Sequence, residues 1–202
     1  MNVRAFGKSE KGMHLQNEDA FLIDLKQGLF AVADGVTTIP FSRRASRAAV
    51  EILRKNFRGD LPAAVMAAHR EISRMPETGA TTLTAAWIHD RSLEVAHVGD
   101  SALFLVRKRV EKITKEDALP ETSVLTQVLG KGEIRLHQYR RALGEGDSLV
   151  LATDGIANFV TGQEMGEAVQ GLEKAPGKLI ALARGKPKLY EDDKTAVVVG
   201  IT

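Results

Sequence analysis

The sequence predicts an α+β fold: an antiparallel β-sandwich with helix pairs on its outer faces, formed as one domain by residues 1–202. Three observations predict it. Strand-like runs, two helices, more strand-like runs, two helices and a last strand follow one another, an order suited to stacked layers. The central runs are separated only by HDRS, GDS and RKR. Such spacers are too short for crossover helices, so neighbouring strands should pair antiparallel. The runs at 102–106 and 149–151 are apolar at every position, as expected of strands covered on both faces. A chain of 202 residues can bury such a core.

Each element has its own signal. Residues 2–7 read as a first strand and 7–17, polar with glycines, as a loop. In 19–24, Phe21 and Ile23 alternate with other neighbours and Leu25 follows, predicting one buried face. Leu29–Ala33 is short, apolar and preceded by Gly28, so it reads as a core strand. VTTIPFS is a loop. Ala45, Ala48, Ala49, Ile52 and Leu53 recur at helical spacing and predict a helix over 42–57, with Arg43, Arg44, Arg47, Arg54 and Lys55 on its polar side. Asp60 reads as the N-cap of a second helix to about residue 75, with Pro62 tolerated in its first turn. Strands follow at 80–88, 93–98, 102–106 and 110–113. A polar loop with Pro120 spans 114–123, an apolar run over 124–129 ends at Gly130, and a strand is expected at 134–138. Residues 149–152 read as a buried strand. Thr161 with Glu164 forms a capping-box pattern that starts a helix to about 172. Pro176 opens another helix, 185–191 is a loop, and 195–201 is the last strand.

Acids punctuate these strands. LFAVADG ends in Asp34 and Gly35, LVLATDG in Asp154 and Gly155, and VGDS carries Asp100. Glu18 and Asp19 open a strand, and Asp192 and Asp193 precede the last one. An acid where the backbone leaves a sheet is held by a rigid element, and Gly35 lets the chain turn with its carbonyl accessible. One Asp-Gly is a common turn; the repetition predicts a single carboxylate cluster. Two carboxylates at about 4 Å repel by roughly 4 kcal/mol at an effective dielectric near 20. Such a cluster needs neutralising. Lys194 and Arg107 could do so in a structural ion-pair network. Alternatively, hard divalent cations such as Mg²⁺ or Mn²⁺ favour oxygen ligands and retain waters, and a pair of them can template attack on phosphorus.

Composition narrows the field. Basic and acidic residues number 28 and 26, which gives no general footprint for nucleic acid. Cysteine is absent, which excludes thiol nucleophiles, thiolate metal sites and disulfides. The N-terminal stretch has no apolar signal region and no run approaches a membrane span, so a cytoplasmic protein without membrane or nucleic-acid partners is expected.

Taken together, NEDAFLID, AVADG, GATTLTAAWI, VGDSALFLV, LTQVLG, GDSLVLATDGI and DDKTAVVV resemble the motifs of the metal-dependent PP2C family of serine/threonine protein phosphatases. They occur in the family's order across nearly the whole chain. The resemblance implies an α-β-β-α sandwich with two Mn²⁺ or Mg²⁺ ions in a cleft at one edge. It implies that Asp34 bridges both ions, that the Gly35 carbonyl binds one, and that Asp154 and Asp192 complete the other. Asp193 takes a place where relatives often carry Asn, so Asp192 is favoured as the ligand. Asp100 would help Asp154 hold a third, weaker ion, and Glu18 and Asp19 would orient bound waters. The implied reaction is hydrolysis of phosphoserine or phosphothreonine in a protein by a metal-bridging hydroxide, without a covalent intermediate. A serine/threonine kinase system would be the natural counterpart.

Three departures qualify this expectation. Many relatives carry an Arg four residues before the motif glutamate to clamp phosphate; here that place holds His14, which cannot form a guanidinium fork. Arg43 or Arg44 could supply the missing base. VTTIPFSRRAS replaces a Gly-Gly-His type stretch, and the region before LTQVLG is short, which predicts an open cleft. Two other readings follow: a catalytically weak PP2C-like regulatory or binding module, and a hydrolase of small phosphoesters. His97 is expected in the core beside the cluster, His69, His89 and His137 on the surface, Trp87 in the core, and the arginine-rich helix face in solvent.

Overall fold

The computed structural model describes residues 2–119, 122, 124–187 and 190–202. The expectations for Pro120, Ser123 and the middle of the 185–191 loop lie outside the described residues. The strands are β1 (Val3–Glu10), β2 (Ala20–Asp24), β3 (Leu29–Ala33), β4 (Leu83–His89), β5 (Ser92–Val98), β6 (Ala102–Val106), β7 (Val110–Lys112), β8 (His137–Ala142), β9 (Ser148–Ala152) and β10 (Lys194–Ile201). The helices are α1 (Ser42–Asn56), α2 (Leu61–Arg74), α3 (Asp154–Ala157), α4 (Gly162–Val169) and α5 (Ala175–Arg184). Two five-stranded sheets form, in the orders β1-β10-β9-β6-β7 and β2-β3-β4-β5-β8, and the strand pairs are antiparallel.

The period of two along each strand sorts the core into three layers. Leu29, Ala31 and Ala33 of β3 face α1 and α2, while Phe30 and Val32 point between the sheets. On the other sheet Val150, Ala152, Ala196 and Val198 face α3, α4 and α5, and Leu149, Leu151, Val197 and Val199 point inward. Strands buried on both faces thus account for the unbroken apolar runs. Alanines at Ala45, Ala48 and Ala49 are buried between α1 and its sheet, where short side chains allow close approach. Asp60 caps α2 by accepting from Ala63 N at 2.9 Å, and Thr161 and Glu164 form the expected capping box.

Several boundaries differ from expectation. β1 continues to Glu10, because its polar C-terminal half pairs in register with the start of β10. The alternation over β2 is only partly as expected: Ile23 packs against the core between the sheets, Phe21 and Leu25 are exposed, and Ala20 and Leu22 pack beneath the helices. β2 is an edge strand, Phe21 lies against Gly7, and Leu25 stands in the turn beyond the strand. The strand expected at 134–138 forms at His137–Ala142 instead. It is a sheet edge whose half-exposed pattern carries polar residues, while Ile134 and Leu136 pack on the core from outside the ladder. The helix from Thr161 stops at Val169, short of 172, and a 3₁₀ turn, Leu172–Lys174, follows Gly171.

Candidate active site

Strand register places the acids together. Ala20 pairs with Ala33, Ala152 with Ala196, and Ala102 with Ala152. The residues just beyond these pairs therefore leave both sheets at the same edge. They are Glu18 and Asp19 before β2, Asp34 after β3, Asp100 in the β5–β6 turn, Asp154 after β9, and Asp192 and Asp193 before β10.

Hydrogen bonds then fix each one. The Asp34 N–H donates to Thr82 Oγ1 at 3.0 Å. Its carbonyl accepts from Thr82 N and from Thr81 Oγ1, each at 2.8 Å. The Thr82 hydroxyl also meets Ser101 Oγ at 2.7 Å, tying Asp34 to the turn that carries Asp100. Gly35 N donates to the Glu18 carbonyl. A Cβ on Gly35 would lie 2.9 Å from the Glu18 and Ser42 carbonyl oxygens, so only glycine fits. Among the described residues no donor reaches the Gly35 carbonyl. Asp154 begins α3 directly after Thr153, whose hydroxyl donates to Asp19 Oδ2 at 2.9 Å and accepts from Thr195 N at 3.0 Å.

The paired acids before β10 divide their roles. Both oxygens of Asp193 are engaged, one by Gly12 N and one by Glu18 N, each at 2.7 Å. Asp193 is a buried clamp for the 12–18 loop. Asp192 Oδ1 accepts from Asp193 N at 2.9 Å and lies 3.3 Å from His14 Nε2.

The electrostatics are those of a cluster of mutually repelling acids. Burial, then the Asp154 charge, pushes the Asp100 carboxyl up to about 7. Burial, then Asp192, raises Asp154 to about 6. Burial raises Asp19 to about 8, against hydrogen bonds that favour its anion, and Asp34 is raised by burial and by Asp19, Asp154, Asp100 and Asp192. Close carboxylates of this kind cannot all be ionised at little cost. Glu18 Oε2, Asp19 Oδ1 and Asp154 Oδ1 are buried without a partner. Among the described residues no Lys or Arg is ion-paired with Asp34, Asp100 or Asp154. The expected alternative network does not form: Arg107 pairs with Asp147 instead, at 2.8 Å. The buried Lys194 ammonium donates to the Asp192 carbonyl at 2.9 Å and lies 3.5 Å from Glu191.

Oxygen-only donors, orphaned carboxylate oxygens and an unused carbonyl fit Mg²⁺ or Mn²⁺. Among the described residues no three carboxylate or imidazole groups close on one point as a finished cage. A bound ion would keep much of its water shell, as Mg²⁺ does.

The rim carries the remaining candidates. His14 Nδ1 is 2.9 Å from Tyr190 Oη, and Nε2 is 3.3 Å from Thr37 Oγ1. Arg43 donates to Gln16 Oε1, and Arg44 reaches the Glu77 carbonyl at 3.5 Å. A cleft of about 760 Å³ has His14, Gln16, Glu18, Arg43 and Arg44 on its walls.

Other histidines depart from expectation. His69 is buried and accepts from Gly130 N at 3.2 Å. His137 is half-buried and meets Asp117 Oδ1 at 2.6 Å. His97 is in the core as expected, between Thr84 and the Lys115 carbonyl, and burial pushes it down to about 4. Trp87 is only part-buried, stacked on His89. The sequence reading missed the clamps Thr81, Thr82, Thr153 and Asp193, and the rim residues Tyr190 and Gln16. A threonine beside a strand-end acid was the available signal for Thr153 alone.

The fold and the site together define an α-β-β-α sandwich with a cluster of carboxylates at one edge. Residues 6–178 match the family model for protein phosphatase 2C, and the chain belongs to that family. The serine/threonine protein phosphatase PstP of Mycobacterium tuberculosis is 27% identical over 98% of this chain and 45% of its own length. The chain spans about half the length of the curated relatives it matches. A crystal structure of the Mycobacterium tuberculosis serine/threonine phosphatase PstP/Ppp is 26% identical, with a TM-score of 0.86 over 100% of this chain and 99% of that one. A structure of the PstP catalytic domain in complex with two manganese ions is 27% identical, with a TM-score of 0.83 over 99% of each chain. No helix among the described residues is long and apolar enough to cross a membrane.

Proposed function

We propose that residues 1–202 form one metal-dependent phosphatase domain that hydrolyses phosphoserine and phosphothreonine in proteins, acting opposite a serine/threonine kinase in the cytoplasm. The observation that carries this reading is the edge where Asp34, Asp100 and Asp154 converge, raised by burial and then by mutual repulsion, with no basic partner among the described residues. A fold gains no stability from such an arrangement, so it is kept for a cation.

Asp34, the Gly35 carbonyl, Asp154 and Asp192 would hold two Mn²⁺ or Mg²⁺ ions, and Asp100 with Asp154 a third, weaker one. Such ions, when bound, supply Lewis-acid polarisation of the phosphoryl group and activation of water. The chain's own residues supply order. The three bonds to the Asp34 backbone leave its carboxylate little freedom to reorganise. Ionisation of the raised carboxyls of Asp34 and Asp154 gives the negative charge that a cation needs. Glu18 and Asp19, each with an unpartnered oxygen, can accept protons of site waters and orient them. His14 at the rim offers one donor to substrate phosphate, and Arg43 and Arg44 offer the forks that His14 lacks.

Turnover of a phosphothreonine peptide and of a generic aryl phosphate, each with and without Mn²⁺, tests the reading. Metal-dependent turnover of the peptide is expected. Aryl phosphate turnover alone would indicate a small-phosphoester hydrolase, and turnover of neither would indicate a regulatory module.

A further inference from the structure

We propose that the cleft beside the carboxylate cluster selects phosphorylated segments with acidic residues flanking the phosphorylated one, read by Arg43, Arg44 and Arg47 of α1. The inference rests on the phosphatase reading for its phosphorylated substrate, and goes beyond it in naming the sequence class.

The cleft is joined to the cluster through His14, which lies on its wall and 3.3 Å from Asp192. A peptide whose phosphate reaches the cluster would pass His14 and lay its neighbouring residues along α1. Arg43, Arg44 and Arg47 all line that wall. Their spacing puts Arg43 and Arg47 a turn apart on one face, and Arg44 beside them. One phosphate held at the cluster cannot engage guanidiniums spread over a full turn, so the stripe has capacity for further anions.

The charges there are otherwise unspent. Among the described residues none of the three forms an ion pair, whereas Arg54 on the same helix pairs with Asp24, and Arg107 and Arg141 pair with Asp147 and Glu111. Glu51, one turn beyond Arg47, also lines the cleft but is not ion-paired with it. The placement also opposes local stability. The first turn of α1 holds no acidic residue and two arginines, where the helix dipole favours negative charge. Arg43 reaches only the Gln16 amide oxygen and Arg44 only the Glu77 carbonyl, so no carboxylate offsets either charge, and a local rule broken without a compensating charge marks a functional position.

Phe41 strengthens the case. It precedes α1 in the left-handed region at φ 65°, with its ring exposed in the cleft. Its carbonyl accepts from the N–H groups of Arg44, Ala45 and Gly79, which explains the backbone conformation. A glycine would serve that conformation with less strain. The ring is therefore retained for the cleft, where it offers an apolar contact beside the arginines.

The test compares fluorescent phosphothreonine peptides flanked by Glu or by Lys, with wild type and the Arg44→Glu/Arg47→Glu double variant. Binding is read by anisotropy in Mn²⁺, and kcat/KM is measured in parallel with p-nitrophenyl phosphate as reference. Wild type should bind the Glu-flanked peptide at least about tenfold more tightly, and the double variant should lose or invert that preference. Arg47→Gln alone should reduce it. The variant should also melt no lower than wild type, since its new acid suits the helix N-terminus. Equal binding of the two peptides by wild type, an unchanged preference in the double variant, or sulfate competing as well as the Glu-flanked peptide would each overturn the inference. Binding preference without any turnover would uphold it and sink the phosphatase reading. Turnover of all substrates without preference would do the reverse.

Discussion

Asp147 and Asp154 lie at opposite ends of one strand, β9, and meet opposite fates. Partial burial pushes the Asp147 carboxyl up, but Arg107 and the Gly144 N–H outweigh it and hold the group below its ordinary range. Arg107 donates through Nε at 3.0 Å and Nη2 at 2.8 Å, and Gly144 N at 2.8 Å. At the other end Asp154 has an unpartnered oxygen and a carboxyl raised to about 6 by burial and Asp192. The strand and residue type are the same, so the difference lies in what each end is for. One end is complete as folded. The other, with an unpartnered oxygen and a raised carboxyl, is left unsatisfied by the chain itself.

The largest effect that could break this contrast is on activity. Asp34→Asn and Asp154→Asn should each reduce phosphatase turnover by about a hundredfold or more, since residues that only support metal ligands already cost about ten- to a hundredfold. Without metal their melting temperatures should hold or rise, because a repelling charge is gone. Asp147→Asn should behave inversely: a loss of about 1–3 kcal/mol, with the folded fraction as active as wild type. If Asp154→Asn melted as far below wild type as Asp147→Asn does, the two ends of β9 would be equivalent and the contrast would fail.

The next effect is on stability against pH. Asp100, Asp154 and Asp19 have ordinary values of 3.8 and are raised to about 7, 6 and 8. With folded values above unfolded ones, the native state binds more protons, and stability falls as pH rises. The window for metal-free protein runs from about pH 4 to about pH 8. Mn²⁺ should remove the decline, because it binds the ionised cluster and stabilises only the native state. Thermal melts at fixed ionic strength, in EDTA and in Mn²⁺, would show it. Parallel curves with and without metal would place the cation elsewhere.

Much of the site was legible because strand-end acids are local signals. Asp34, Asp100, Asp154 and Asp192 each follow or precede an apolar run, and antiparallel register brings such ends to one edge. What escaped reading depends on partners far along the chain. Asp193 looks no different from Asp192 in sequence, yet its oxygens hold Gly12 and Glu18, 181 and 175 residues away. His69 was expected on the surface because helical spacing alone does not reveal that the loop after the 124–129 run folds over α2 and donates to it. β8 was misplaced for a related reason. An edge strand is half solvated, so its polar residues hide it, and the nearby apolar pair Ile134 and Leu136 drew the expectation three residues early.

The division between Asp192 and Asp193 gives a smaller effect that sharpens the comparison within two adjacent residues. Asp193→Asn keeps one acceptor oxygen but turns an NH₂ group toward Gly12 N or Glu18 N, both donors. It should cost about 1–3 kcal/mol, and the displaced Glu18 should lower activity as well. Asp192→Asn should leave stability within about 0.5 kcal/mol while weakening the Mn²⁺ dependence of turnover. Calorimetry and a metal titration on both variants would decide. Similar stability losses would mean that Asp192 is also a clamp.

The smallest expected effect tests whether a paired acid always matters. Asp24 resembles Asp147: it stands at a strand end and meets an arginine, Arg54, at 3.1 Å. Its carboxyl is also lowered, but the first cause is the Gln27 side chain, with the Gln27 N–H ahead of Arg54 as well. Both Gln27 groups donate at 3.1 Å. Arg54 is 64% exposed and contributes a single contact, and exposed pairs are worth about 0–1 kcal/mol. Arg54→Gln should therefore lower the melting temperature by less than about 2 °C at pH 7. Because the folded value is depressed, what stability Asp24 adds is present above about pH 4 and fades as pH falls below it, in wild type and variant alike. Arg107→Gln should cost clearly more, since it removes a two-pronged contact from an acid that burial alone would raise. Melting curves of the two variants at pH 7 and pH 3 separate these cases. Equal losses at pH 7 would mean that the second prong and the burial of Asp147 add nothing, and that the completed end of β9 is held by its backbone bonds rather than by its ion pair.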